Sequence, residues 1–279
     1  MPSCDMEPTV VFFTAPVRPP LATFVERIWA VNGIGEYNRE VILPNGAIEL
    51  MVNFGPPQRV VALGDRADGT LYTQGWVAGL QNQPLTVEAL AVTDVLGIRF
   101  RPGAAHAFLP GTIEALTNQV IHGDLILGPA IASLRARLAE APTRALQVRA
   151  AETWLFEQFA PQEHAYRIVQ RALCALQQTP FGAPIGTLCD DLGLSHKHLI
   201  TLFRRLVGVP PKTMARILRF HAVLNQVRQR QRINWSRVAH DFHYCDQAHF
   251  IHEFQRFSGI TPGQYPARRS PDGGTLIGG

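Results

Sequence analysis

Between residues 8 and 108 the apolar positions come in short continuous or alternating runs: VVFFTAP, EVILPNG, AIELMVNFG, RVVALG, TLYTQGWVAGL, LTVEALAV and DVLGIRF. Pro, Gly and Asn separate them. Runs of this length and punctuation predict strands. Several in succession predict a β-sandwich, a cupin-like fold or a small barrel. LATFVERIWAV, Leu21 to Val31, fits either helix or strand, with helix favoured at its start. Past residue 112 the period changes. IEALTNQVIHGDLIL, PAIASLRARLAEA and RALQVRAAETWLFEQF carry apolar residues three and four apart and predict helices as far as residue 160. Ile131, Leu134 and Leu138 share one face, and Thr143 is placed to cap the third helix with its side-chain oxygen.

The stretch APQEH, 160–164, separates this region from an all-helical one over 165–266. AYRIVQRALCALQQ is amphipathic. APIGTLCDDLGLSHKHLITLFRRLVG then reads as helix, glycine turn, helix. Pro184 suits a first turn, where a missing N–H costs nothing. Gly193 supplies the left-handed stop, and Ser195 caps the second helix of the unit. PPKTMARILRFHAVLNQVRQRQ predicts one long helix with Met214, Ile217, Leu218, His221 and Leu224 on one face. INWSRVAHDF, the turn HYC, a cap at Asp246 and QAHFIHEFQRFSG repeat the helix-turn-helix. FRRLVGVPPKTM and FQRFSGITPGQY align at an offset of 51 residues, Gly208 on Gly259 and Pro211 on Pro262, with Phe203 and Phe254 as equivalent core residues. The Gly/Pro-rich tail 267–279 reads as disordered. The expected class is α+β. A domain spans 1–160, β-rich over 8–108 and helical over 112–160, and an all-α domain over 165–266 holds two helix-turn-helix units joined by a long helix.

Charge sharpens this division. Residues 1–164 carry 11 Arg and 16 acidic residues, a balance of −5; residues 165–279 carry 15 Lys/Arg against 6 acidic, a balance of +9. A basic half joined to an acidic half points to an anionic partner for one half only. Cys4, Cys174, Cys189 and Cys245 have no ligand spacing and fit free thiols in a reducing compartment. MPSCDMEPTV lacks the charged and apolar regions of a signal peptide, and no run approaches ~18 apolar residues. A cytoplasmic protein without membrane contact is expected.

The C-terminal segment resembles the DNA-binding domain of AraC/XylS-type regulators. The residues that carry the resemblance are LCDDLGLSHKHLITLFRRLVGVPP, ILRFHAVL and VAHDFHYCDQAHFIHEFQRFSGITPGQY, with Phe-x-x-x-x-Gly-x-x-Pro closing both units. LPNGAIELMVNFG and GIRFRPGAAHAFL resemble the β-rich sensor of one branch of these regulators. The resemblance implies a transcription regulator that binds promoter or operator DNA. One departure is His243-Tyr244, where the family usually has Gly-Phe in the second turn. A glycine there would meet a positive φ at no steric cost. A recognition helix fits only the major groove. Two units on a connecting helix of ~20 residues, ~30 Å long, suit successive grooves about 34 Å apart.

The resemblance implies that Lys197, Ile200 and Thr201 read bases in the first unit, with His196 and Arg204 also exposed. In the second unit the candidates are Gln247, Ala248, His249 and His252, Gln being suited to adenine. Ser195, Arg205, Arg219 and Arg256 are expected to hold phosphates. In the sensor, Trp29 and Trp76 with Glu49, Asn53, Arg99, Arg101 and His106 are candidates for contacting a small-molecule effector. The helices between 112 and 160 could serve a homodimer, and contact with RNA polymerase is a further expectation. His240/His243 and His249/His252 have i, i+3 spacing, but no Cys or carboxylate completes a metal site, so neither metal nor cofactor is expected. No P-loop, nucleophile elbow, HExxH or GxGxxG is present, so no enzyme is expected. Two alternatives remain: a ligand-independent DNA-binding protein whose N-terminal half dimerises or touches polymerase, and an enzyme with secondary DNA binding.

Overall fold

A computed structural model describes residues 10–33, 39–89, 92–160, 163–178, 185–270 and 274–277. The alternating runs of the N-terminal half form two antiparallel sheets. The strands are β1 (Val10–Ala15), β2 (Val25–Gly33), β3 (Arg39–Ile42), β4 (Ile48–Asn53), β5 (Gln58–Leu63), β6 (Arg66–Ala67), β7 (Leu71–Tyr72), β8 (Gly75–Ala78), β9 (Leu85–Ala89), β10 (Thr93–Phe100), β11 (Val120–His122) and β12 (Thr275–Ile277). The first sheet runs β1-β2-β10-β4-β8-β11 and the second β12-β3-β9-β5-β6, with β7 also on β5.

The helices are α1 (Gly123–Leu127), α2 (Ala130–Glu140), α3 (Arg144–Gln158), α4 (Glu163–Gln178), α5 (Ile185–Leu192), α6 (His196–Leu206), α7 (Pro211–Val227), α8 (Trp235–Asp241), α9 (Gln247–Ser258) and α10 (Tyr265–Arg268). Pro184 lies outside the described residues.

Because side chains alternate across a strand, the first sheet has two distinct faces. One carries Ile28, Leu50, Val52, Val77, Leu96 and Ile98 into a core that continues through Leu134 and Trp154 to Phe203, Phe220 and Phe254 of the C-terminal half. The other packs on the second sheet through Trp76 and Val95, against Val60, Leu63 and Leu85. The N-terminal half, expected from sequence to be a sensor, and the helical half thus share one apolar core. Polar bonds between them are specific. The Thr117 hydroxyl donates to the Gly208 carbonyl at 2.8 Å, and the Tyr166 hydroxyl to the Thr23 carbonyl at 2.8 Å.

Two expectations need correction. The stretch 112–127 is not one helix but a 3-10 turn at Ile113–Leu116, strand β11 and the short α1. Three- and four-residue apolar spacing fitted a helix, but Val120–His122 pairs with the open edge of β8 instead. Leu21–Val31, where helix was favoured only at the start, opens with a 3-10 turn over Leu21–Thr23 and continues as β2 from Val25. The tail read as disordered holds β12, which pairs with β3 at the sheet edge. No helix among the described residues is long and apolar enough to cross a membrane.

Candidate nucleic-acid interface and sensor interior

The two helix-turn-helix units end their first helices identically. In the first, the Gly193 N–H donates to the Asp190 carbonyl at 3.1 Å and the Leu194 N–H to Cys189 at 3.0 Å; in the second, His243 donates to His240 and Tyr244 to Ala239, both at 3.0 Å. Gly193 has φ +65°, and His243 takes φ +55°. These positions match at an offset of 50, whereas the caps Ser195 and Asp246 match at 51. The second turn is therefore longer by Cys245. The caps work alike. Ser195 Oγ accepts from the His198 N–H at 3.2 Å, and Asp246 Oδ1 from the His249 N–H at 2.7 Å, each satisfying an orphan donor of a first turn.

A buried ionic cluster orients α9. Glu253 lies between Phe250, Phe254 and Phe257 on the core face and is fully buried. A lone carboxylate there would be costly, and two cations of α7 answer it. Arg216 Nε bonds Oε2, and Arg219 Nη2 bonds Oε1 at 2.7 Å. Burial pushes the Glu253 carboxyl up, but the two guanidinium groups outweigh it and hold it below the usual carboxylate range. The Tyr244 ring covers Arg219, with its centroid 3.9 Å from the guanidinium carbon. Arg219, expected to clamp a phosphate, is thus a buried partner of Glu253 and not a surface cation. Glu253 was not singled out from sequence, and the signal that could have found it is an acid on an apolar helix face.

The remaining candidates split by exposure. Ser195, His196, Lys197, Thr201 and Arg205 of the first unit are exposed, and Ile200 is half-buried. Arg204 is exposed but pairs with Glu114 of the sensor at 3.4 Å. In the second unit Gln247, Ala248, His252 and Arg256 are exposed. His249 is edge-on to Tyr244 with ring centroids 5.4 Å apart. Gln247 Oε1 accepts from Ser236 Oγ at 3.1 Å. His198 and Gln255 are exposed on the same helices and were not singled out from sequence.

In the sensor, strand register collects side chains that are far apart in sequence. Thr14, Trp29, Gly97, Met51, Trp76 and His122 are successive partners across the first sheet, so they share the face that looks at the second sheet. Glu49 and Arg99 are partners on the same face and form an ion pair there. Trp29 lies over Gly97, where a Cβ would come within 2.3 Å of the indole, and it stacks on Phe12. The Trp29 indole N–H and the Arg27 Nε are buried without a hydrogen-bond partner.

Three other sensor candidates are structural. Asn53 is fully buried, its amide donating to the Gly55, Pro56 and Thr73 carbonyls at 2.9–3.0 Å, which closes a turn. Buried His106 meets the Gly103 carbonyl at 2.8 Å through Nδ1, outside the sheet interior, and burial lowers its pKa. Arg101 is exposed and donates to the Ala22 carbonyl at 2.9 Å. Among the described residues no group of three His, Cys, Asp or Glu could hold a metal.

Two family models match the chain: a domain of unknown function (DUF6597) over residues 14–122 and a helix-turn-helix domain over 188–268. No curated protein matches. Among solved structures, ToxT from Vibrio cholerae aligns at 8% identity with a TM-score of 0.49, covering 92% of this chain and 98% of that one. ToxT bound to (E)-4-(8-methylnaphthalen-1-yl)but-3-enoic acid gives 9%, 0.48, 92% and 98%. Unsaturated fatty acid-bound ToxT gives 9%, 0.46, 95% and 97%. At such identities and TM-scores below 0.5 this is a distant likeness and carries no functional weight. With the duplicated capped turns and the matched model together, residues 188–268 form a helix-turn-helix domain.

Proposed function

We propose that this protein is a transcription regulator of the AraC type, that it reads one promoter duplex with both recognition helices, α6 and α9, and that a small molecule held between the two sheets adjusts the reading. The observation that carries the first part is the equivalence of the two units: the same turn bonds, the same capping geometry and an exposed polar N-terminal half on each second helix. The N-terminal residues of such helices reach base edges. Lys197 and Thr201 on α6, and Gln247 and His252 on α9, are the side chains assigned to bases, with Ile200 offering an apolar surface. Ser195, His196, Arg205 and Arg256 face the backbone. Joining the units is α7, 17 residues and so about 26 Å long. That length suits successive major grooves about 34 Å apart once the flanking helices extend it.

The effector part rests on the sheet interior. Trp29, Met51 and Trp76 supply apolar area there. The Trp29 indole N–H and the Arg27 Nε are buried donors that a polar group could satisfy. The Glu49–Arg99 pair sits on the same face and could orient such a group. The ligand is therefore expected to be largely apolar with one acceptor end. DNA binding is tested by selecting duplexes from a random pool with the full chain. The selected site should contain two half-sites about one helical turn apart. A single short half-site, or no enrichment, contradicts two-helix reading. The effector is tested by thermal shift with small apolar acids, because a ligand that binds only the folded state raises its stability. Trp29→Ala should abolish any shift that wild type shows.

A further inference from the structure

The chain does not leave the molecule after the second helix-turn-helix. Arg269 donates from Nη1 to the Val227 carbonyl at 2.8 Å and from Nη2 to Arg230 at 3.0 Å, which fastens it to the end of α7. Ser270 then reverses the chain, its N–H and Oγ both donating to the Thr275 carbonyl, at 2.9 and 3.0 Å. Strand β12 pairs antiparallel with β3 of the sensor, Thr275 opposite Ile42, Leu276 opposite Val41 and Ile277 opposite Glu40. Leu276 is 1% exposed. The Leu43 N–H also reaches the Gly274 carbonyl at 3.3 Å. Beside β12 lies a cleft of about 460 Å³ with walls from both halves of the protein: Asp65, Gln83 and Pro84 from the sensor, Gln255 and Arg256 from the C-terminal half of α9, and Leu276 itself.

We propose that β12 is a latch. Paired with β3, it holds the second helix-turn-helix against the acidic sensor and turns the Arg256 end of α9 into the cleft. Released, it frees that end for a DNA backbone. This rests on the reading of α9 as a DNA-contacting helix. The latch is weak by construction. It is three residues long, occupies a sheet edge and buries one large side chain, the kind of element that opens locally without global unfolding. Its energetic lever is differential. DNA and the sensor compete for the same basic surface, so whatever tightens β12 on β3 weakens DNA binding by the same factor, and the reverse.

The test uses the full chain and a duplex that wild type has itself selected from a random pool. Three forms are compared by fluorescence anisotropy. One is wild type. The second is truncated after Ser270. The third carries Glu40→Cys and Ile277→Cys, with Cys4→Ser, Cys174→Ser and Cys245→Ser, and is measured reduced and oxidised. Directly opposed strand residues lie within disulfide reach. The truncated chain should bind about fivefold more tightly or better, within the usual range of coupling between sites. The gain should vanish in an Arg256→Ala background. Oxidation should weaken binding relative to the reduced form. Equal affinities across all forms overturn the latch. Should the truncated chain fail to melt cooperatively, the oxidised and reduced comparison decides alone. Should wild type select no duplex, the DNA reading itself falls, and the latch with it.

Discussion

A carboxylate in an aromatic core has to be answered by cations, and Glu253 is answered twice. Removing one partner of a buried pair leaves a charge that water cannot reach, so Arg219→Ala should lower stability by about 3 kcal/mol in chemical denaturation. Because the Glu253 pKa is lowered in the folded state, the cluster's contribution is fully present above the unfolded value, about 4.3. It should fade as pH falls through that value toward the folded one, and Glu253→Gln should remove this part of the acid dependence in a pH series of melts. His243 presents the opposite case, a local cost. A non-glycine left-handed residue costs about 1–2 kcal/mol, and a glycine there would lose about 0.5–1 kcal/mol in chain entropy. His243→Gly should therefore stabilise by between about 0 and 1.5 kcal/mol. Gly193→Ala should destabilise by about 1 kcal/mol, since its Cβ would meet open space and only the backbone objects. A His243→Gly variant less stable than wild type would show that the imidazole makes an offsetting interaction. That this position takes a positive φ was implied by the resemblance, since the family usually places a glycine there. That Arg219 is a core cation was not legible in the sequence, because its partner lies 34 residues away.

At the scale of elements, caps and turns were readable and pairings were not. Thr143, Ser195 and Asp246 all accept a backbone N–H of their own helix, as the cap residues in the sequence implied. Asp246→Ala should cost about 1 kcal/mol and loosen the first turn of α9, where Gln247 and Ala248 lie. A circular-dichroism melt checks the first effect and DNA affinity the second. The stretch 112–127 was misread because apolar residues three and four apart also occur around a short edge strand, and only the open side of β8 decides between them. The sensor's inner row is of the same kind. Trp29, Met51 and Trp76 are scattered in sequence, and strand register alone sets them on one face. β12 escaped notice because its composition is that of a loose tail and its partner, β3, is more than two hundred residues earlier.

At the scale of the molecule, the charge asymmetry between the halves acquires a geometry. Glu114 of the N-terminal half reaches Arg204 on α6, pairing with its guanidinium at 3.4 Å. Both side chains are half exposed, so the pair adds less than about 1 kcal/mol to stability. Glu114→Gln should leave the melting temperature nearly unchanged yet tighten DNA binding at low salt, an effect that fades as salt rises. Arg205→Ala should weaken binding to all sequences alike and reduce the salt slope by about 0.9. Base reading by both α6 and α9 is checked by salt-controlled binding of the full chain to its selected duplex and to mismatched duplexes. Wild type is compared with Lys197→Ala/Thr201→Ala and with Gln247→Ala/His252→Ala. Each double variant should lose discrimination at its own half-site, by about 1–3 kcal/mol for each base no longer read, and keep it at the other. If the Gln247→Ala/His252→Ala chain discriminates as wild type does, α9 holds the backbone only and two-groove reading is wrong.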